Sequence, residues 1–106
     1  MISETVKKLE QATVLSNLKK YFAGRNDVLN VFVFGSFARG TNTKNSDLDL
    51  IIIKNTEERF LERYKSFRDL DDNIGLPIDV LVYTEKEWAD VRERKFFKNT
   101  AIVSIL

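Results

Sequence analysis

The stretch VFVFGSFARGTNTKNSDLDLIII, residues 31–53, decides how the rest of the chain is organised. Val31 to Phe34 is apolar on both faces, as a strand covered on both sides of a sheet should be, and Gly35-Ser36 closes it. Ten residues, Phe37 through Ser46, separate that pair from Asp47-Leu48-Asp49-Leu50, which runs on into Ile51, Ile52 and Ile53. Side chains alternate along a strand, so acids at i and i+2 point to the same face. An ionised carboxylate set against a core without a partner costs several kcal/mol. The pair therefore predicts a face on which cations, water or substrate compensate the charge, and a divalent metal is the simplest such cation.

The flanking sequence supplies elements to cover these strands. Residues Ser3 to about Gly24 place Val6, Leu9, Val14, Leu18 and Phe22 on one stripe, widened by Ala12, Leu15 and Tyr21, which is a helical period. Ser3 is the expected cap, Gly24 the stop, and Lys7, Lys8, Lys19 and Lys20 the solvated side. Phe37 to Gly40 reads as a short helical turn and Thr41 to Ser46 as a polar loop, short enough for strands Val31–Phe34 and Asp47–Ile53 to be neighbours. Asn55 or Thr56 is expected to cap a helix from Glu57 to about Asp71. Its stripe would be Phe60, Leu61, Tyr64, Phe67 and Leu70, with Arg59, Glu62, Arg63, Lys65 and Arg68 facing water. Asp69, Asp71 and Asp72 lack the glycine and distal Glu of a calcium loop and read as a solvated helix end.

Gly75 and Pro77 mark a turn before a third strand, Ile78 to Tyr83, with Asp79, Leu81 and Tyr83 on one side. Thr84 and Glu87 have capping-box spacing, so a helix begins at Glu85 and carries Trp88, Val91 and Lys95. Asn99 to Leu106 fits either a last helix or a short strand.

Composition narrows the chemistry. A chain of 106 residues, 43% hydrophobic, is expected to make one domain, residues 1–106, with one modest core. Seventeen Lys and Arg against 16 Asp and Glu leave a net charge of +1, too little to steer nucleic acid or a membrane surface by a global field. The absence of cysteine excludes disulfides and thiolate sites, and the absence of histidine removes the usual transition-metal ligand and general base. The N-terminus offers neither a signal-peptide core nor a membrane span, and a soluble, cytoplasmic protein is expected.

Carboxylate, hydroxyl, Lys, Arg, Tyr and backbone N–H remain. Asp79 inside its apolar strand is the third acid, and if that strand lies beside the second, Asp47, Asp49 and Asp79 converge at one patch. Such a cluster repels itself unless cations sit in it. Oxygen ligands without His or Cys select Mg²⁺ or Mn²⁺, and two such ions clamp an in-line attack on phosphorus. Gly35 at a strand end lets backbone N–H groups approach a phosphate, with the Ser36 hydroxyl as a further donor.

This pattern resembles the nucleotidyltransferase superfamily that includes DNA polymerase beta and, within it, the minimal nucleotidyltransferases. The match is Gly35-Ser36, ten residues, then Asp47 and Asp49, with Asp79 in Ile78-Asp79-Val80-Leu81 as the third acid, and Arg39-Gly40 and Ser46 in similar surroundings. Four fixed positions at fixed spacing arise by chance on the order of once in a thousand such chains. Thr100 to Leu106 departs from the family pattern in lacking a Gly.

The resemblance implies an α/β (α+β) nucleotidyltransferase fold, a small mixed sheet flanked by helices with the acids at one edge, and metal-dependent transfer of a nucleotidyl group from ATP. By position, Asp47, Asp49 and Asp79 would be catalytic and hold two Mg²⁺ ions, with Asp79 helping to activate the acceptor hydroxyl. Gly35, Ser36 and Arg39 would bind the phosphates. It further implies an antitoxin that transfers AMP to a tyrosine of a partner HEPN toxin, with the apolar ending and Phe96-Phe97 as contact surface. A binding module that neutralises its partner by covering it, and a nucleotidyltransferase acting on a small hydroxyl compound such as an aminoglycoside, are the alternatives.

Overall fold

In a computed structural model, residues 4–43 and 45–106 are described, with side chains from Glu10 onward; the expected cap Ser3 and the side chains of Val6, Leu9, Lys7 and Lys8 lie outside the described residues. The elements run α1 (Glu4–Phe22), β1 (Asn30–Phe34), α2 (Gly35–Arg39), β2 (Leu48–Ile53), a 3₁₀ helix (Phe60–Phe67), α3 (Leu70–Ile74), β3 (Ile78–Tyr83), α4 (Glu85–Val91), α5 (Lys95–Lys98) and β4 (Ile102–Ser104). The four strands form one mixed sheet in the order β3-β2-β1-β4. β1 is antiparallel to both β2 and β4, and β2 is parallel to β3. The ambiguous C-terminal stretch is thus a short edge strand.

Alternation along the strands divides the core in two. Val31, Val33, Leu48, Leu50, Ile52 and Val82 point to the face covered by Leu18 and Phe22 of α1, Phe67 of the 3₁₀ helix, and Leu70 and Ile74 of α3. Phe34, Ile51 and Ile53 point to the opposite face, under Trp88 of α4 and Phe97 of α5. Trp88 lies 5.5 Å from the Phe32 ring and 5.4 Å from Phe97, which itself stands edge-on to Phe34 at 5.6 Å. Asp49 and Asp79 have the parity of this second, aromatic face.

The expected helix over residues 57–71 is not one helix. It is a 3₁₀ segment followed by the short α3, and neither Asn55 nor Thr56 caps it, since the 3₁₀ segment starts after Arg59 without a side-chain cap. Asn55 instead accepts from the Glu85 backbone N–H at 3.1 Å, at the start of α4. The predicted stripe is also rotated: Leu61 is 78% exposed and Phe60 and Tyr64 are exposed, whereas Arg63, expected in water, is 6% exposed. Its Nη1 donates to Val82 O at 3.1 Å and to Glu87 Oε1 at 2.6 Å, and its Nε donates to Glu58 O at 2.9 Å. These bonds hold the segment against β3 and outweigh the hydrophobic period. Asp69 is likewise not simply solvated, because the Tyr21 hydroxyl of α1 donates to it at 2.6 Å.

The expected capping box is present: Thr84 Oγ1 accepts from Glu87 N–H at 3.2 Å and Glu87 Oε1 accepts from Thr84 N–H at 2.9 Å. α4 nevertheless stops at Val91, and Lys95 opens the separate α5. Val103 and Leu106 leave apolar surface at the C-terminal edge and Phe96 is exposed, but Phe97, expected beside it as contact surface, is buried in the aromatic layer.

Arg63→Ala leaves Val82 O and Glu58 O without their donor and the Glu87 carboxylate without its cation. The expected cost is about 2–4 kcal/mol of unfolding free energy, measured by urea titration. Glu87 is held below the ordinary carboxylate value, first by the Arg63 bond and then by the Thr84 backbone. Its contribution is present above the unfolded-chain value and fades as pH falls through the depressed one, so the wild-type advantage over Arg63→Ala should shrink in acid.

Candidate functional site

The ladders bring together residues that are far apart in sequence. Asp49 pairs with Phe34 of β1 on one side and with Asp79 of β3 on the other, so one row across the sheet reads Asp79, Asp49, Phe34. Ile102 of β4 completes that row. Register is enforced by the opposite face, where Leu50 meets Val80 and Ile52 meets Val82; a slip by one residue would turn those side chains out of the core. Both acids therefore lie on the aromatic face, beside the part covered by Phe97.

Gly35 follows Phe34 directly and opens α2 with φ +72°. A Cβ built there would stand 2.3 Å from Asp49 Oδ2. Any side chain would push the carboxylate aside, and the left-handed backbone by itself favours glycine here. Ser36 is half-buried next to it, and its carbonyl accepts from Thr41 N–H at 3.0 Å, folding the chain back after α2.

Asp49 is half-buried, whereas Asp47 and Asp79 are exposed. Burial pushes the Asp49 carboxyl above its ordinary value, the charges of Asp79 and Asp47 push it further, and the Arg39 guanidinium opposes them. One carboxyl thus feels three of the other residues that the sequence singled out, while Gly35 touches it. Asp47 differs from its companions, because β2 begins at Leu48 and Asp47 precedes it. Among the described residues, no group of three acidic side chains is already gathered as around a single ion. The register fixes a pair, Asp49 with Asp79, and Asp47 stands one strand step outside it.

The donor set nevertheless suits a divalent cation. Hard carboxylate oxygens with excess negative charge and a carboxyl that resists ionisation are what such an ion relieves. Two features were not legible in the chain: the steric fit of Gly35 to Asp49, and the Phe34–Phe97 wall on the flank of Asp49. The adjacency of Phe34 and Gly35 hinted at the first, while the second needed the position of α5.

Comparison with known proteins gives a family match over most of the chain. The model described as "Nucleotidyltransferase domain" matches residues 15–103. A Methanocaldococcus jannaschii protein named "Putative protein adenylyltransferase MJ1305" is 44% identical over 46 residues, which are 42% of this chain and 31% of that protein. The chain thus spans under a third of that relative. A second from the same organism, "Putative protein adenylyltransferase MJ1379", is 30% identical over 70 residues, 64% of this chain and 70% of that one. Among solved structures, one described as "a putative nucleotidyltransferase from Sulfolobus solfataricus" superposes with TM-score 0.63 at 18% identity, over 98% of this chain and 87% of the other. A crystal structure of a toxin-antitoxin with AMP-PNP superposes with TM-score 0.53 at 19% identity, over 64% of this chain and 56% of that one. These two likenesses are of fold.

Gly35→Ala is expected to destabilise the protein by about 1–3 kcal/mol through strain at positive φ and to displace the Asp49 carboxylate, which thermal unfolding and a crystal structure of the variant would report. For Asp49 the folded value lies above that of the unfolded chain, so its stability contribution is full at low pH and lost as pH rises through the raised value. Asp49→Asn in EDTA should therefore melt higher than wild type at pH 7, with the gain vanishing in acid. A lower melting point at pH 7 would refute the electrostatic account.

Proposed function

We propose, since the chain belongs to the nucleotidyltransferase domain family, that it transfers AMP from ATP to a tyrosine of a partner toxin of HEPN type, with Mg²⁺, and so acts as a cytoplasmic antitoxin. The observation that carries this reading is the row of Asp49 and Asp79 on adjacent strands, with Gly35 packed against the Asp49 carboxylate. Names of relatives as protein adenylyltransferases and a structural neighbour that is a toxin-antitoxin with AMP-PNP support the choice of acceptor and donor. No described helix is long and apolar enough to cross a membrane.

Asp47, Asp49 and Asp79 are the residues that would hold the metal. Two bound Mg²⁺ ions, or Mn²⁺, would neutralise the triphosphate and favour in-line displacement at the α-phosphorus. The backbone of Gly35 and Ser36 cradles the phosphates, and Arg39, whose charge already reaches Asp49, counters the negative charge of the triphosphate. Asp79, the exposed member of the pair, faces the acceptor and takes the proton from the tyrosine hydroxyl. The tyrosine oxygen bonds to the α-phosphorus, the bond from that phosphorus to the bridging oxygen breaks, and pyrophosphate leaves. The exposed Phe96, Val103 and Leu106 offer apolar area for the partner.

Incubation with α-labelled ATP, Mg²⁺ and a partner HEPN toxin should label the toxin on tyrosine. Asp47→Ala, Asp49→Ala and Asp79→Ala should each lower the rate on the order of a hundredfold or more. Absence of transfer from an intact, folded pair overturns the reading. Full neutralisation of the toxin by Asp47→Ala/Asp49→Ala identifies a binding module instead, and labelling of a small hydroxyl compound in place of the toxin identifies the other alternative.

A further inference from the structure

Asp47 stands outside the ladder that fixes its two companions, so something other than the sheet must aim it. The N–H of Leu48 is bonded to Pro77 O at 3.0 Å, but Asp47 itself is exposed and is carried by the turn behind it. That turn is closed on itself. Ser46 N–H donates to Thr43 O at 3.0 Å, Thr43 N–H donates to Ser46 Oγ at 2.8 Å, and Asn45 N–H donates to Thr43 Oγ1 at 3.3 Å. Such bonds fix the shape of the turn, whose ends are tied by Thr41 N–H to Ser36 O and by Leu48 N–H to Pro77 O, and leave its tilt between those ends to side chains.

The position is read from α1. Gln11 Nε2 donates to Asn42 Oδ1 at 2.9 Å across 31 residues of sequence, and both side chains are half-buried. Gln11 stands with Val14, Leu15, Phe37 and Leu48 around an apolar cavity of about 80 Å³. An amide beside apolar walls gives up hydration, and the bond to Asn42 restores what was lost. We propose that Gln11 is a positioning residue for the transfer site: through Asn42 it sets where the turn, and hence Asp47, stands relative to Asp49 and Asp79. The chemistry of this inference rests on the nucleotidyl-transfer reading, whereas its geometry does not.

An amide pair can be inverted without losing its bond, which makes the test specific. Gln11→Glu accepts from Asn42 once that amide flips, and Asn42→Asp accepts from Gln11; together they set two carboxylates face to face with no donor. Gln11→Met with Asn42→Leu removes the bond without adding charge. The probes are Mn²⁺ binding by the nucleotide-free protein, followed by electron paramagnetic resonance, the Mg²⁺ concentration giving half-maximal transfer, and the thermal midpoint.

Gln11→Glu and Asn42→Asp alone should each weaken Mn²⁺ binding by no more than about threefold and together by about tenfold or more, in excess of their product. Gln11→Met/Asn42→Leu should weaken it by about tenfold and by no more than the product of its singles, since either one alone breaks the bond. The Mg²⁺ requirement should rise in parallel. The thermal midpoint of Gln11→Met/Asn42→Leu should stay within a few degrees of wild type, the order of change for about 1 kcal/mol. Equal Mn²⁺ affinity in wild type and both double variants overturns the proposal. Weakened Mn²⁺ binding in the double variants, beside a wild type that transfers nothing, upholds the positioning role and overturns the transfer reading. A wild type that neither binds Mn²⁺ nor transfers AMP overturns both.

Discussion

Two carboxylates side by side on adjacent parallel strands are the constraint on which the rest of this structure depends. Like charges directly opposite each other destabilise a sheet pair, yet Asp49 and Asp79 cannot slide apart, because the other face of the same ladder is locked by Leu50 against Val80 and Ile52 against Val82. The apolar side of β2 and β3 thus holds the acidic side in a register that the acids alone would refuse. The cost is concentrated on Asp49, which is half-buried between Asp79 and the Phe34–Gly35 corner, and its raised ionisation value measures that strain in electrostatic terms. Natural proteins accept such local instability where function requires it.

The covering elements serve that arrangement unequally. On the first face α1, the 3₁₀ helix and α3 bury a continuous layer from Leu18 to Ile74. On the second, α4 and α5 are short and cluster their aromatic side chains over Phe32, Phe34 and Ile51, so Asp79 remains exposed beside the covered rows. Trp88 and Phe97 meet edge to face, as do Phe97 and Phe34 of β1, forming a wall on one flank of the acids. Arg63, by bonding Val82 O and Glu87 together, pins the far end of β3 to α4 and keeps that wall in place.

The sequence was most legible where a pattern is local. The apolar runs at 31–34 and 47–53 and the strand pattern at 78–83 located three strands to within a residue, and parity alone put Asp49 on the same face as Ile51 and Ile53. The Thr84 and Glu87 spacing gave a capping box that the structure contains. What failed depended on partners far along the chain. Arg63 looked solvated because its partner near in sequence is only a backbone carbonyl, Glu58 O, and its carboxylate partner is Glu87, on an element beyond the next strand. The stripe drawn on an α-helical wheel put Leu61 and Tyr64 inside, but the segment is a 3₁₀ helix that turns Arg63 and Phe67 inward and leaves Leu61 and Tyr64 exposed. Asn55, chosen as a cap for the segment that follows it, serves α4 instead.

The same distinction explains why the site itself was only partly legible. Asp49 and Asp79 occupy positions that the ladder determines, with Gly35 directly after its last β1 residue, and a ladder can be inferred from apolar content and parity. Asp47 does not. Its neighbour Leu48 is the first residue of β2, so the acid two residues before Asp49 shares its parity without sharing its hydrogen-bonded frame. Parity predicts which way a side chain points, but the place from which it points is set here by a turn whose link to the body, Gln11 to Asn42, joins an unremarkable helical glutamine to an unremarkable loop asparagine. Neither residue type nor spacing marks such a pair. The division of labour follows: the sheet fixes where Asp49 and Asp79 stand beside each other, and the turn carries Asp47 next to them.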